Sequence, residues 1–383
     1  MAKNDNRNNR DSDGDGDSDI ASQLLSGETW ASFCDSLKHS GQQILRAEAP
    51  HDAFTHAEGF RYLTRLLRIG LEMHVEFADA DFPGFLVPSH ETAKIGADNP
   101  DNMYQYARLN GRNEYRVRGH RGSVSYLSFG SQKGGYETDG KMEQTGFIDA
   151  QRLQFEADGS FELILSQQPH SGNWLPLEAA SNALVVRQTF LDRRTEKPAQ
   201  LKIERIGSDA KPQPLDPVQL HAGLQNAARF VENTSKLFAD WAQGYRAHPN
   251  QLPPANQAIC QAVGGDPNIF YYHSYWELAD DEALVIDAAS VPACDFWNLQ
   301  INNYWMESLD YRHHNICINK HSAHYNNDGG ITLILSQRDP GRPNWLETAG
   351  HRNGTMCLRW VGAAQPVHPT TRVVKLASLL EAA

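Results

Sequence analysis

Apolar residues recur at every second position in two nearly identical stretches of this chain. Phe161, Leu163 and Leu165 line one face of DGSFELILSQ (158–167), and Ile331, Leu333 and Leu335 line the same face of DGGITLILSQ (328–337). A run of period two that leaves an Asp-Gly pair predicts a strand with a buried face, launched from a tight turn. The surroundings repeat as well. SGNWLP (171–176) answers RPNWLE (342–347), and LVVRQTF (184–190) answers MCLRWVG (356–362). VSYLSFGSQ (124–132) lies opposite CDFWNLQIN (294–302), and NPDNMYQYA (99–107) resembles DPNIFYYHS (266–274). Two copies of a many-stranded unit, punctuated by Gly, Asn and Pro, predict a mainly β fold with helical additions: two tandem antiparallel β-sandwich or jelly-roll units.

Helical spacing appears outside the repeats. Trp30, Phe33 and Leu37 suggest a first helix. Thr55 and Glu58 form a capping-box pattern before a stripe of Phe60, Leu63, Leu67 and Leu71. Asp216-Pro217 offers a cap and a first-turn proline to a helix carrying Leu220, Leu224, Ala227, Val231, Phe238 and Trp241. Proline-bearing segments bracket this last helix, which therefore reads as a linker. The expected organisation is a disordered acidic tail (1–20), a helical segment (21–98), a first β unit (99–205), a helical linker (206–257), a second β unit (258–370) and a C-terminal tail (371–383).

Charge and composition narrow the function. A formal net charge of -12 argues against nucleic acid and anionic membrane surfaces as partners. No run approaches the roughly 18 apolar residues that cross a bilayer, so no membrane insertion is expected. The N-terminus lacks the apolar core of a secretory signal. Its DSDGDGDSD run alternates Asp like a calcium loop but has no Glu at the twelfth position, which favours a solvated acidic tail. Five widely spaced cysteines without a CxxC suggest neither a disulfide framework nor a zinc site, and fit a reducing cytoplasm. No Gly-rich phosphate loop follows a strand and no GxSxG elbow occurs, which argues against nucleotide and serine-hydrolase chemistry; without HExxH, facial-triad spacing or a cysteine pair no metal is expected, and no cofactor is either.

Three stretches carry a family resemblance: FWNLQINNYWMESLDYR, YNNDGGITLILSQRDPGRPNWLETAG and MCLRWVG. Together they resemble the domain of unknown function 1214 family through Phe296-Trp297, Asn327-Asp328-Gly329, Asn344-Trp345-Leu346 and Arg359. The likeness spans about residues 266–362. A fainter echo in the first copy runs through Asp158-Gly159, Asn173-Trp174-Leu175 and Arg187. The resemblance implies a two-sandwich architecture and assigns no activity.

Duplicated residues favour structural roles. Trp174 and Trp345 suit plugs between sheets, and Asn173 and Asn344 suit loop backbone groups. Arg187 and Arg359 sit inside apolar strands, where a guanidinium needs a partner. Asp158 and Asp328, equally duplicated, are candidates for it; anion binding is the alternative. The copies differ most between the aromatic strand and the Asp-Gly turn. There the second copy gathers His313, His314, His321 and His324 beside Asp310 and Arg312, and His351 is likewise unmatched. If HNICIN is a strand, His314 shares the inward face with Ile316 and Ile318, either as a satisfied core histidine or in a functional role.

These residues support an enzyme acting on a small, partly apolar molecule by acid–base chemistry, of hydrolase, lyase or isomerase type. His314 or His351 would move the proton, Asp310 would orient it, and Arg312 would face an anionic group. The alternative is a non-catalytic carbohydrate- or lipid-binding sandwich, with Tyr304, Trp305 and Tyr311 stacking on the ligand and Arg359 contacting it. A third reading makes the repeat a device for building a homo-oligomer.

Overall fold

A computed structural model describes residues 12–381 of the chain, with side chains from 18 to 380. Each β unit contributes eight strands. The first holds β1 (Asn102–Arg108), β2 (Tyr115–His120), β3 (Tyr126–Gly134), β4 (Met142–Asp149), β5 (Ser160–Ser166), β6 (Trp174–Pro176), β7 (Ala183–Thr189) and β8 (Gln200–Arg205). The second holds β9 (Ile269–Glu277), β10 (Glu282–Ala288), β11 (Phe296–Ile301), β12 (Cys317–Asn319), β13 (Ile331–Ser336), β14 (Trp345–Glu347), β15 (Asn353–Val361) and β16 (Thr370–Lys375). Sheet orders match strand for strand: β1-β7-β3-β4 with β6-β5-β2-β8, and β9-β15-β11-β12 with β14-β13-β10-β16. In each unit the two sheets share one apolar core, built around Leu127, Leu163 and Leu184 in the first and around Trp297, Leu333 and Leu358 in the second.

Pairing is antiparallel except at β5–β6 and β13–β14, which run parallel. The loop before each short strand folds back beside its predecessor, and one asparagine holds it there. Asn173 accepts from Gln154 N at 2.7 Å and donates to the carbonyls of Gln154 and Glu162. Asn344 does the same with His324 and Thr332, from a left-handed backbone at φ 57°. The indoles of Trp174 and Trp345 then donate to the carbonyls of Ser166 and Ser336. Both duplicated pairs therefore serve the loop.

A third core joins the units to the helices. These are α1 (Ser12–Ser26), α2 (Glu28–Ser40), α3 (Ala53–Leu71), α4 (Pro217–Tyr245), α5 (Gln257–Ala262) and α6 (Leu376–Glu381). Asp216 caps α4, accepting from Val218 N at 2.9 Å, as its sequence predicts. The helix is no spacer, because Leu224, Ala227, Phe230, Val231 and Phe238 are buried. α3 is capped by Asp52 rather than Thr55, and its buried face is Gly59, Tyr62, Leu66 and Ile69. Phe60 is left 45% exposed. Gly59 selects that face, since a Cβ there would meet the Trp305 ring at 2.8 Å.

Two expected boundaries move. The segment read as a C-terminal tail contains β16, which pairs with β10 through Thr370–Lys375. From Ser12 the chain is helical where an acidic tail was expected, and residues 1–11 of that tail lie outside the described residues.

Replacing Asn344 with Ala strips three hydrogen bonds and leaves a non-glycine residue at positive φ, so it should cost about 2–4 kcal/mol. Asn173→Ala, at a more exposed site without that φ, should cost about half as much. Denaturant midpoints of the two variants check this, and equal losses would contradict it.

Candidate functional site between the two units

Each unit opens with a short leader, and each leader docks on the other unit. Ahead of β1, Asp101 accepts from Asn298 Nδ2 (2.9 Å), Asn319 Nδ2 (3.1 Å) and Cys317 Sγ (3.4 Å) in the second unit. Ahead of β9, Asp266 accepts from Tyr126 Oη and Ser128 Oγ in the first unit, and Asn268 donates to Asp149. The duplicated arginines complete the exchange. Arg359 on β15 donates to the Ala97 carbonyl at 2.5 Å, and Arg187 on β7 donates to the Gly264 carbonyl. Both acceptors lie at positive φ, 56° and 95°, which turns each carbonyl toward the arginine of the opposite unit.

Strand register explains why the arginines meet here. β15 is buried on both faces: Leu358 and Trp360 enter the sandwich core, while Cys357, Arg359 and Val361 face the helices and the first unit. Tyr104 sits opposite Arg187 across β1–β7, and Tyr271 opposite Arg359 across β9–β15. Between the two strand pairs lies a cavity of about 180 Å³. Arg187, Arg359, Tyr104, Tyr271, His273 and Gln132 line it, with Asp98 and Glu137, while Ile95, Phe230, Phe238 and Ile269 supply apolar walls.

Neither arginine forms an ion pair within 4 Å among the described residues. Arg359 rests on neutral oxygens: Gln300 Oε1 at 2.6 Å, Asn298 Oδ1 at 3.4 Å and the Ala97 carbonyl. Its strongest electrostatic neighbours are Cys357, Tyr104, Tyr271 and Cys317, none of them a carboxylate. Arg187 does feel one, Asp266. Asp158 and Asp328 are not the partners expected from the sequence. Each caps its own turn, accepting from Ser160 N and Gly330 N at 2.9 Å, and those turns lie at the far ends of β5 and β13.

Burial sets the protonation of the remaining groups. His273 lies parallel to Tyr245 and Tyr271, with ring centroids at 5.7 and 5.8 Å. Desolvation and the nearby Arg359 charge push its pKa down to about 3, so the ring is neutral. His74, buried behind the wall, falls to about 3 for the same first reason, aided by Arg108 and Arg229. Burial pushes the Cys260 thiol up to about 12 and Cys357 to about 11, which removes both as thiolate nucleophiles. Glu137 is raised by burial.

The histidine-rich segment is elsewhere and does not converge. β12 begins only at Cys317, so His314 is not on a strand; it is half-exposed and bonds Glu347 Oε1 at 2.8 Å. Asp310 does not orient it. Its carboxylate grips Arg312 at 2.7 and 2.9 Å, which holds Asp310 well below the usual carboxylate range. His321 is exposed, and among the described residues no three His, Cys, Asp or Glu side chains gather as metal ligands. His351 is buried against α3, with Nε2 on Glu58 at 3.1 Å and Nδ1 on the Thr348 carbonyl at 2.9 Å. Burial opposes its charge, but these partners raise its pKa above the ordinary value.

Tyr304 and Trp305 are core residues. The Trp305 indole donates to the Thr55 carbonyl at 2.8 Å, and both rings are under 3% exposed. Tyr311 receives the Lys94 ammonium 4.7 Å from its ring centre. Of the residues singled out from the sequence for a possible ligand role, Arg187 and Arg359 line the cavity. Tyr104, Tyr271, His273 and Gln132 were missed. The signal for the tyrosines was present in the aligned leaders NPDNMYQYA and DPNIFYYHS. Duplication argues for structure only if each copy has its own site, and here one site uses both copies.

Paired sandwiches sharing a central cavity define this chain as a tandem-repeat β protein. It belongs to the family described as Protein of unknown function (DUF1214), whose profile matches residues 104–189 and again 278–365. An uncharacterized protein from Burkholderia cenocepacia is 71% identical, covering 94% of this chain and 99% of its own, with a TM-score of 0.92. A protein from Vibrio parahaemolyticus is 12% identical over 83% of this chain and 98% of its own, with a TM-score of 0.47. No curated protein matches the chain.

Two histidines held neutral make folding sensitive to acid. Unfolded, each takes a proton near pH 6.5; folded, it does not until about 3, so stability falls as pH drops through that window. At pH 4.5 the loss should be about 2–3 kcal/mol for each. His351 acts with the opposite sign, its contribution fading as pH rises through its raised pKa. His273→Phe should therefore flatten the difference in unfolding free energy between pH 7 and pH 4.5. An unchanged difference would show that His273 is not held neutral.

Proposed function

We propose that this protein binds a small, partly apolar anion in the cavity between its units, with Arg359 as the principal charge partner. One observation carries the reading: a fully buried guanidinium lines a cavity and hydrogen-bonds only to neutral oxygens. Burying a cation without a counter-charge costs several kcal/mol, and an anion in the cavity would offset that cost. The apolar walls suit a hydrocarbon body, and Tyr104 and Gln132, which also line the cavity, offer hydrogen bonds. Five free cysteines support a reducing, cytoplasmic setting for this role.

A catalytic version of the reading passes through Glu137, whose raised pKa brings it closer to neutrality than an ordinary carboxylate. His273, with a pKa of about 3, is too weak a base for proton transfer near pH 7. His314 and His351 do not line this cavity.

Titrating the full chain with sodium acetate, benzoate and phosphate at constant ionic strength should raise Tm with at least one anion. Arg359→Gln should weaken that anion about 10- to 100-fold, the equivalent of a charge-assisted hydrogen bond of about 1.5–3 kcal/mol. Arg359→Lys, which keeps the charge, should retain part of the affinity. A panel without effect on Tm, or an affinity indifferent to Arg359, would refute the proposal.

A further inference from the structure

Charges around the cavity cancel in pairs, with one exception. Lys94 and Asp98 meet through Ser308, whose hydroxyl lies 2.6 Å from the ammonium and 2.8 Å from the carboxylate. Arg108 stands 3.9 Å from Glu137. Asp101, one amide removed from Arg359 through Asn298, is matched by Arg193. Asp266 acts on Arg187. Arg359 has no such match among the described residues.

The leaders show where the imbalance arises. Asn99-Pro100-Asp101 and Asp266-Pro267-Asn268 occupy equivalent places, with acid and amide exchanged. The second leader thus brings the Asp266 carboxylate near Arg187. The first brings the Asn99 amide, which accepts from Asn298 Nδ2 at 2.6 Å beside Arg359. The first leader's own acid, Asp101, is matched by Arg193, so the amide at Asn99 leaves the charge of Arg359 over. A single negative charge closes the balance, whereas a dianion would leave buried negative charge in excess.

Volume and lining set the rest of the molecule. The cavity holds about 180 Å³, somewhat more than the roughly 150 Å³ that accommodates benzene in an apolar site. Its aromatic wall is built from Tyr136 edge-on to Phe238, centroids 5.7 Å apart, and tilted on Phe230 at 6.1 Å. We infer that the cavity selects monocarboxylates of about six or seven carbon atoms in all, the size of hexanoate or benzoate. This inference rests on the anion-binding reading, with the carboxylate on Arg359 and the hydrocarbon against the Phe230–Phe238 wall.

The test is calorimetric titration of the full chain with benzoate, hexanoate, acetate, succinate, palmitate and benzamide. Benzoate and hexanoate should bind at least tenfold tighter than the other four. Asn99→Asp, which gives Arg359 the carboxylate that Arg187 already has, should weaken benzoate at least tenfold while leaving Arg359 in place. Ile269→Trp, or Val185→Phe should the first not fold, should fill the cavity and remove benzoate binding; near-UV circular dichroism checks the fold of each. Acetate binding as tightly as benzoate, in an Arg359-dependent way, would overturn the ligand class and leave anion binding intact. Tighter binding of succinate would overturn the single-charge argument, and tighter binding of palmitate would overturn the size limit. Absence of binding by every carboxylate would overturn the class, and if phosphate also gave no Arg359-dependent rise in Tm it would overturn the reading beneath it.

Discussion

Everything central in this molecule hangs on two arginines that reach out of their own sandwiches. Arg187 holds the backbone that leads into the second unit, and Arg359 holds the backbone that leads into the first. A carbonyl is a modest partner for a guanidinium, so each contact is worth more as a geometric constraint than as a source of stability. It places the two leaders antisymmetrically, brings β1 and β7 to face β9 and β15, and leaves room between them. Helix α4 then closes that room with Phe230 and Phe238, with Ile95 alongside.

The same exchange makes the repeat functional as a pair. In a duplicated protein, equivalent residues ordinarily do equivalent structural work, as Asn173 and Asn344 do in their loops. Arg187 and Arg359 differ because they converge on a shared space. Their surroundings have diverged: Tyr106 on β1 has His273 as its counterpart on β9, and Asn99 has Asp266. A near-symmetric frame therefore encloses an asymmetric cavity, with aromatic stacking and the unmatched charge on the side of the second unit.

His351 and His314 are both unmatched in the first copy, and the structure keeps them apart. Both found carboxylates, Glu58 and Glu347, but on different elements and away from the cavity. The His351–Glu58 contact ties α3 to the second sandwich, and buried beside it Arg65 pairs with Glu307 at 2.5 Å. These pairs fasten the helical layer.

Local chemistry was legible from the amino acids alone. Period two and the Asp-Gly turns specify the strands of both units, the matched segments specify their equivalence, and Asp216-Pro217 specifies where α4 starts, because each rests on contacts within a few residues. The buried face of α3 was not legible, since Gly59 admits Trp305 from a strand loop some 250 positions away. Nor was the side of β15 that Arg359 occupies. NGTMCLRWV is buried on both faces and shows no alternation to read. Only the docking of one sandwich against the other decides which face is core and which is cavity, and that docking is set by long-range packing and by the charges of Arg187, Arg359, Asp101 and Asp266. A strand's neighbours follow from its own pattern; what lies across from it follows from the whole chain.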